Sequence, residues 1–178
     1  MNEKANIDGD PLVALARKAV ESYVRERKVL DAEPVAGPEQ RRAGVFVSLH
    51  LPDGSLRGCI GTTQPTRPGI EDEIVRNAIS AATRDPRFSP VRPDELEGLD
   101  ISVDVLGEPE EVSGTEDLDP KCFGIIVQTA DGRQALLLPD LEGVDTVDRQ
   151  VCITCRKGGI DPVRDHYRIL RFEVERHH

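Results

Sequence analysis

The sequence predicts an α+β fold, a mainly antiparallel sheet with flanking helices. Two observations carry this. Alternating apolar segments occur in pairs around strong turn signals, Pro52-Asp53-Gly54 and Asp131-Gly132, which is hairpin connectivity. The segments with helical periodicity stand isolated between such pairs instead of following every strand, which argues against a doubly wound sheet.

Each element has a local reason. Asp10 can cap a helix and Pro11 suits its first position. Leu12, Leu15, Ala16, Ala19, Val20 and Tyr23 then recur at helical spacing. Residues 31–42 hold two prolines, a glycine and several charges, and read as a loop. Ala43 to Leu51 alternates, and Ser55 to Gly61 returns across the Pro-Asp-Gly turn. A helix is expected from about Gly69 to Thr83, with Ile70, Ile74, Ala78, Ile79 and Ala82 inward and Glu71, Asp72 and Glu73 as a solvated first turn. Pro93 to Leu99 suits a short helical turn, and Asp100 to Leu106 alternates as a strand. Residues 107–121 read as an acidic loop. Cys122 to Ala130 and Arg133 to Leu138 flank Asp131-Gly132, the dipeptide of a type I′ turn. A last helix runs from about Asp145 to Lys157 and stops at Gly158-Gly159, and Tyr167 to Glu175 forms the final strand.

Composition bounds the function. The chain has 178 residues, 38% hydrophobic and 31% charged, with no Trp, so its core is built from Val, Ile, Leu and Ala. This length suits one domain, residues 10–178, behind a disordered leader at 1–9. The polar N-terminus lacks a signal-peptide core and no run is long enough to span a bilayer, so the expected location is cytoplasmic, with no membrane partner. A net charge of −10 makes direct nucleic-acid binding a poor expectation. Four cysteines in a cytoplasmic chain are expected as thiols.

The segment Leu56-Arg57-Gly58-Cys59-Ile60-Gly61-Thr62 concentrates the chemistry. Alternation puts Arg57 and Cys59 on one face and Leu56 and Ile60 on the other. Burying the apolar face sets a register with Leu51 opposite Leu56, His50 opposite Arg57 and Ser48 opposite Cys59. A thiol, a guanidinium, a hydroxyl and an imidazole then share one face. There Arg57 can lower the Cys59 pKa, and His50 can act as a base within hydrogen-bond reach. Gly58 and Gly61 can admit a ligand close to the backbone. The competing reading makes Cys59 a buried packing residue and the glycines a bulge. In Arg84-Asp85-Pro86-Arg87-Phe88, Arg84 and Arg87 can bind a carboxylate or phosphate, or Asp85 can hold an arginine in a structural ion pair; Phe88 reads as core.

Cys152-Ile153-Thr154-Cys155 lies near a helix C-terminus, where the field opposes a thiolate, and lacks a second close ligand pair. Neither a redox pair nor a zinc site is expected there. The chain has no P-loop, dinucleotide fingerprint, HExxH or nucleophile elbow, so no cofactor or metal is assigned.

LRGCIGT at 56–62 resembles the signature of the AMMECR domain family. The resemblance extends to Gly44–Leu49, to AATRDPRF at 81–88, to Leu99–Leu106, to Leu137-Leu138-Pro139 and to Lys157-Gly158-Gly159-Ile160, and so spans about residues 10–175. Gly158 stands where the family usually has Ala. The resemblance implies an α+β fold with a larger and a smaller subdomain, and a cleft where the LRGCIG hairpin meets the DPRF loop. Bacterial and archaeal members are named for an AmmeMemoRadiSam system, which implies Memo-like and radical-SAM proteins as partners. It implies no particular reaction.

Two functions follow as expectations. One is a thiol-dependent enzyme or enzyme component: Cys59 as nucleophile or acid, His50 or Asp85 handling a proton, and a small anionic ligand met by Arg57, Ser48, Gly58, Gly61, Thr62, Arg84 and Arg87. The other is a non-catalytic protein- or metabolite-binding regulatory module.

Overall fold

A computed structural model describes residues 9–32 and 41–178. The leader, apart from Gly9, and most of the 31–42 loop lie outside the described residues. The chain divides into two compact units. One runs to Val105 and takes back Arg176–His178; the other is Leu106–Glu175. The fold is α+β with two antiparallel sheets, as the hairpin pattern predicts.

In the first unit, α1 spans Pro11–Glu26. Asp10 caps it: its carboxylate accepts from the N–H groups of Leu12 and Val13 at 2.9 and 3.3 Å. The strands are β1 (Val45–His50), β2 (Leu56–Gly61) and β3 (Asp100–Leu106), and α2 is Ile70–Thr83. Val45, Val47 and Leu49 of β1 and Ile101, Val103 and Val105 of β3 point to one face and are buried in a core shared with Ala16, Val20, Ile74 and Ala78. The opposite face of β1 carries Phe46, Ser48 and His50.

Two details of this unit depart from expectation. The acidic first turn of α2 is not solvated: Glu71 and Glu73 are both buried. Glu73 is 1% exposed and accepts from the hydroxyls of Thr62 and Thr66 and from the N–H groups of Thr66 and Arg67, which fixes the loop after β2. Phe88 is half-buried and not core; the Arg87 guanidinium lies 5.4 Å from its ring centre. The expected turn at 93–99 is a 3-10 helix, Pro93–Gly98.

In the second unit the 107–121 stretch is more than a loop. It holds β4 (Glu110–Glu111) and a 3-10 turn at Thr115–Asp117. The hairpin strands are β5 (Gly124–Thr129) and β6 (Gln134–Leu137). Their turn is not type I′. That turn needs positive φ at both Asp131 and Gly132, and only Gly132 has it, at 90°. Asp131 instead faces its neighbours, pairing with Arg133 and the Thr129 hydroxyl. The helix α3 is Val147–Lys157, with Thr146 as its cap. It packs Val151 and Cys155 onto Ile125 and Val127.

The expected last strand is two strands. β7 (Tyr167–Phe172) lies in the second sheet, of order β4-β7-β5-β6. β8 (Val174–His177) lies in the first, of order β2-β1-β3-β8. Alternation continues through Glu173, so periodicity alone gives no sign of the change of sheet. Among the described residues no helix is long and apolar enough to cross a membrane.

Candidate functional site

The LRGCIG strand is the edge of the first sheet, and its position sets the site. Ser48 lies opposite Cys59, and the Ser48 hydroxyl donates to the Cys59 sulfur at 3.3 Å. Among the described residues, the outer backbone edge of β2 has no neighbouring strand. At Cys59 it is covered by side chains of the DPRF loop. Asp85 accepts the Cys59 N–H at 2.9 Å, and Arg87 donates to the Cys59 carbonyl at 3.4 Å. Asp85 and Arg87 are joined by a two-pronged ion pair, Nε–Oδ1 at 3.0 Å and Nη2–Oδ2 at 2.7 Å. One ion pair thus supplies an acceptor and a donor where a further strand would supply them, and blunts an otherwise exposed edge.

Arg57 is committed inside the protein. Its Nε and Nη2 donate to the two oxygens of Glu95 at 2.9 and 3.1 Å, and Nη1 donates to the Ser89 carbonyl at 2.9 Å. The register explains the position. A β-bulge between Leu49 and His50 puts His50 opposite Leu56, not Arg57. His50 also lies opposite Asp100 of β3. The hydroxyl in hydrogen-bond reach of the sulfur is that of Ser48, and no hydrogen bond joins His50 to Cys59 among the described residues.

The glycines are filled by the protein itself. A Cβ on Gly58 would lie 2.2 Å from the Ala81 carbonyl oxygen, because the α2 backbone rests directly on β2. A Cβ on Gly61 would lie 2.2 Å from the Phe46 ring. At both positions the absence of a Cβ lets another part of the protein approach the strand closely. Thr62 likewise turns inward, donating to Glu73 at 2.8 Å and accepting from Asn77 at 3.3 Å. Arg84 and Arg87, which follow the end of α2, are both exposed.

The electrostatics follow. The Arg87 guanidinium holds the Asp85 carboxyl far below the usual carboxylate range, against the opposing effect of burial. Arg57 lowers Glu95 in the same way. Burial pushes the half-buried Cys59 thiol up from its ordinary value; the Ser48 hydrogen bond and the Arg87 charge oppose this without reversing it. The cation that favours the thiolate is therefore Arg87, not Arg57. Among the described residues no cluster of three His, Cys, Asp or Glu side chains could hold a metal ion.

The AMMECR1 family profile matches residues 13–177. The chain belongs to the AMMECR1 family. A protein of Thermotoga maritima is 51% identical over 169 residues, covering 94% of this chain and 97% of its own. A Clostridium acetobutylicum protein is 46% identical over 98% of this chain, yet the match is only 37% of its own length. An uncharacterized protein from Pyrococcus horikoshii superposes with a TM-score of 0.84 at 32% identity, covering 94% and 89% of the two chains.

In this AMMECR1-family chain several residues of the site lie beyond sequence reasoning. Ser102 pairs with Ser48 from β3. Asp104, 4% exposed, lies opposite Phe46 and accepts from Arg176 of β8 at 2.7 Å. Glu95 holds Arg57 from 38 positions away. Its only sequence signal is its place three residues after Arg92, whose N–H it accepts at 2.8 Å.

Proposed function

We propose that this AMMECR1-family protein is a non-catalytic protein- or metabolite-binding regulatory module, with its anionic contact made by the exposed Arg84 and by Arg87, which lies beside Cys59. One observation carries the reading: Asp85, whose carboxylate accepts the Cys59 N–H, is spent as an ionised strut between Arg87 and the Cys59 backbone. A thiol raised by burial, whose sulfur takes its described hydrogen bond from the Ser48 hydroxyl and not from a base, is poorly suited to nucleophilic work. The family resemblance points to Memo-like and radical-SAM proteins as its partners. That the domain makes up 37% of the Clostridium chain supports work alongside a second module.

The test is affinity capture of a Memo-like protein from the same cell, using purified wild type and two variants. Cys59→Ser should retain capture within about twofold. The Arg84→Ala/Arg87→Ala double variant should lose roughly tenfold or more, since charge-assisted contacts contribute about 1.5–3 kcal/mol each. Loss of capture in Cys59→Ser together with intact capture in the double variant would return the site to the thiol-dependent reading.

A further inference from the structure

We propose that Cys152 and Cys155 form a reversible oxidation site, at which hydrogen peroxide oxidises Cys152 and Cys155 resolves it as an intrahelical disulfide. The site lies in the second unit and does not rest on the reading of Cys59.

The pair divides the two roles by placement. Cys152 is exposed in the middle of α3 and lines a cavity of about 470 Å³ with Arg156, Gly159, Ile160, Asp161 and Pro162. Arg156, one turn further on, lies on the same side of the helix. Cys155 is 0% exposed, in the core with Val151 and Ile125 and against Tyr167. Peroxide therefore meets Cys152 first, and Cys155 is kept as a thiol until its partner is oxidised.

The helix brings them near but not into bonding position. Three residues along an α-helix separate Cα atoms by about 5 Å, inside the disulfide range, while their Cβ atoms stand about 5–6 Å apart against the roughly 4 Å that a disulfide needs. Closing this gap requires the last turn of α3 to yield. That turn ends two residues beyond Cys155 at Gly158-Gly159, with Gly159 left-handed at φ 63°, so little helix has to open. A disulfide formed under such strain is readily reduced, which suits a reversible modification.

The chemistry balances. The Cys152 sulfur attacks peroxide, the O–O bond breaks, and a sulfenic acid and one water form. Cys155 sulfur attacks Cys152 sulfur, the S–O bond breaks, the S–S bond forms, and a second water leaves. Two thiols lose two electrons and peroxide is reduced to two waters.

The test uses the folded protein with one equivalent of peroxide, alkylation of the remaining thiols, and tryptic digestion without reductant. Cleavage after Arg149 and Arg156 releases one peptide carrying both cysteines. Most of that peptide should lack two hydrogens and take no alkyl group, and a thiol reductant should restore both alkylation sites. Cys155→Ala should accumulate a dimedone-trapped sulfenic acid at Cys152; should that variant fail to fold, Cys152→Ser, altered at an exposed position, should leave Cys155 fully alkylatable after oxidation and unfolding. Conversion of Cys152 to sulfinic acid with Cys155 intact, or an unmodified peptide, would overturn the proposal.

Discussion

Gly58→Ala should lower the free energy of unfolding by about 3 kcal/mol, the upper end of what an added methyl costs in a packed interior. The reason is geometric. The new Cβ would meet the Ala81 carbonyl oxygen at 2.2 Å. That oxygen belongs to the α2 main chain and has no rotamer through which to retreat, so helix and strand must separate and core contacts around Ile74, Ala78 and Leu49 are lost with them. Gly98→Ala is the control. Its nearest neighbour, Pro52, would stand at 3.5 Å, and the cost should stay within about 0.5 kcal/mol. Urea unfolding of the two variants measures both. Equal stabilities would mean that Gly58 is not held by the helix and is free to serve a ligand.

Glu95→Ala should cost about 3 kcal/mol, the low end for breaking a buried ion pair because Glu95 keeps some contact with water. It would strand the Arg57 guanidinium, whose side chain is 10% exposed, with only the Ser89 carbonyl as a described partner. It would also remove the acceptor of the Arg92 N–H. Arg57→Met should cost less than Glu95→Ala, because the carboxylate it leaves behind is 21% exposed against 10% for the guanidinium and still accepts the Arg92 N–H. A double-mutant cycle through urea unfolding gives the coupling, expected at about 2 kcal/mol. A coupling near zero would show that Arg57 and Glu95 act independently, leaving Arg57 available as a ligand group.

The fold was legible where local chemistry is decisive. Asp10 and Pro11 mark the start of α1, and the alternation of β1 and β3 marks the buried face. It was illegible where a tertiary contact overrides a local pattern. Glu71-Asp72-Glu73 has the composition of a solvated helix start, yet Glu73 is buried because four donors of Thr62, Thr66 and Arg67, in the stretch before the helix, converge on it. The pairing of Ser48 with Cys59 follows from the buried face, but the bulge that moves His50 away from Arg57 has no signal in residue type. The same limit applies to the site. Arg57, Cys59, Asp85 and Arg87 are chemically conspicuous in the sequence. Which of them neutralise one another depends on Glu95 and on the edge position of β2, and both are properties of the folded chain.

The most direct measurement is the rate at which Cys59 in the folded protein reacts with a neutral alkylating agent across pH, resolved by peptide mapping from Cys122, Cys152 and Cys155. A binding module with a thiol braced by Ser48 and raised by burial predicts slow labelling with a midpoint above the ordinary thiol value of about 8.5. Fast labelling with a midpoint near or below neutral pH would show an activated thiolate and contradict the account.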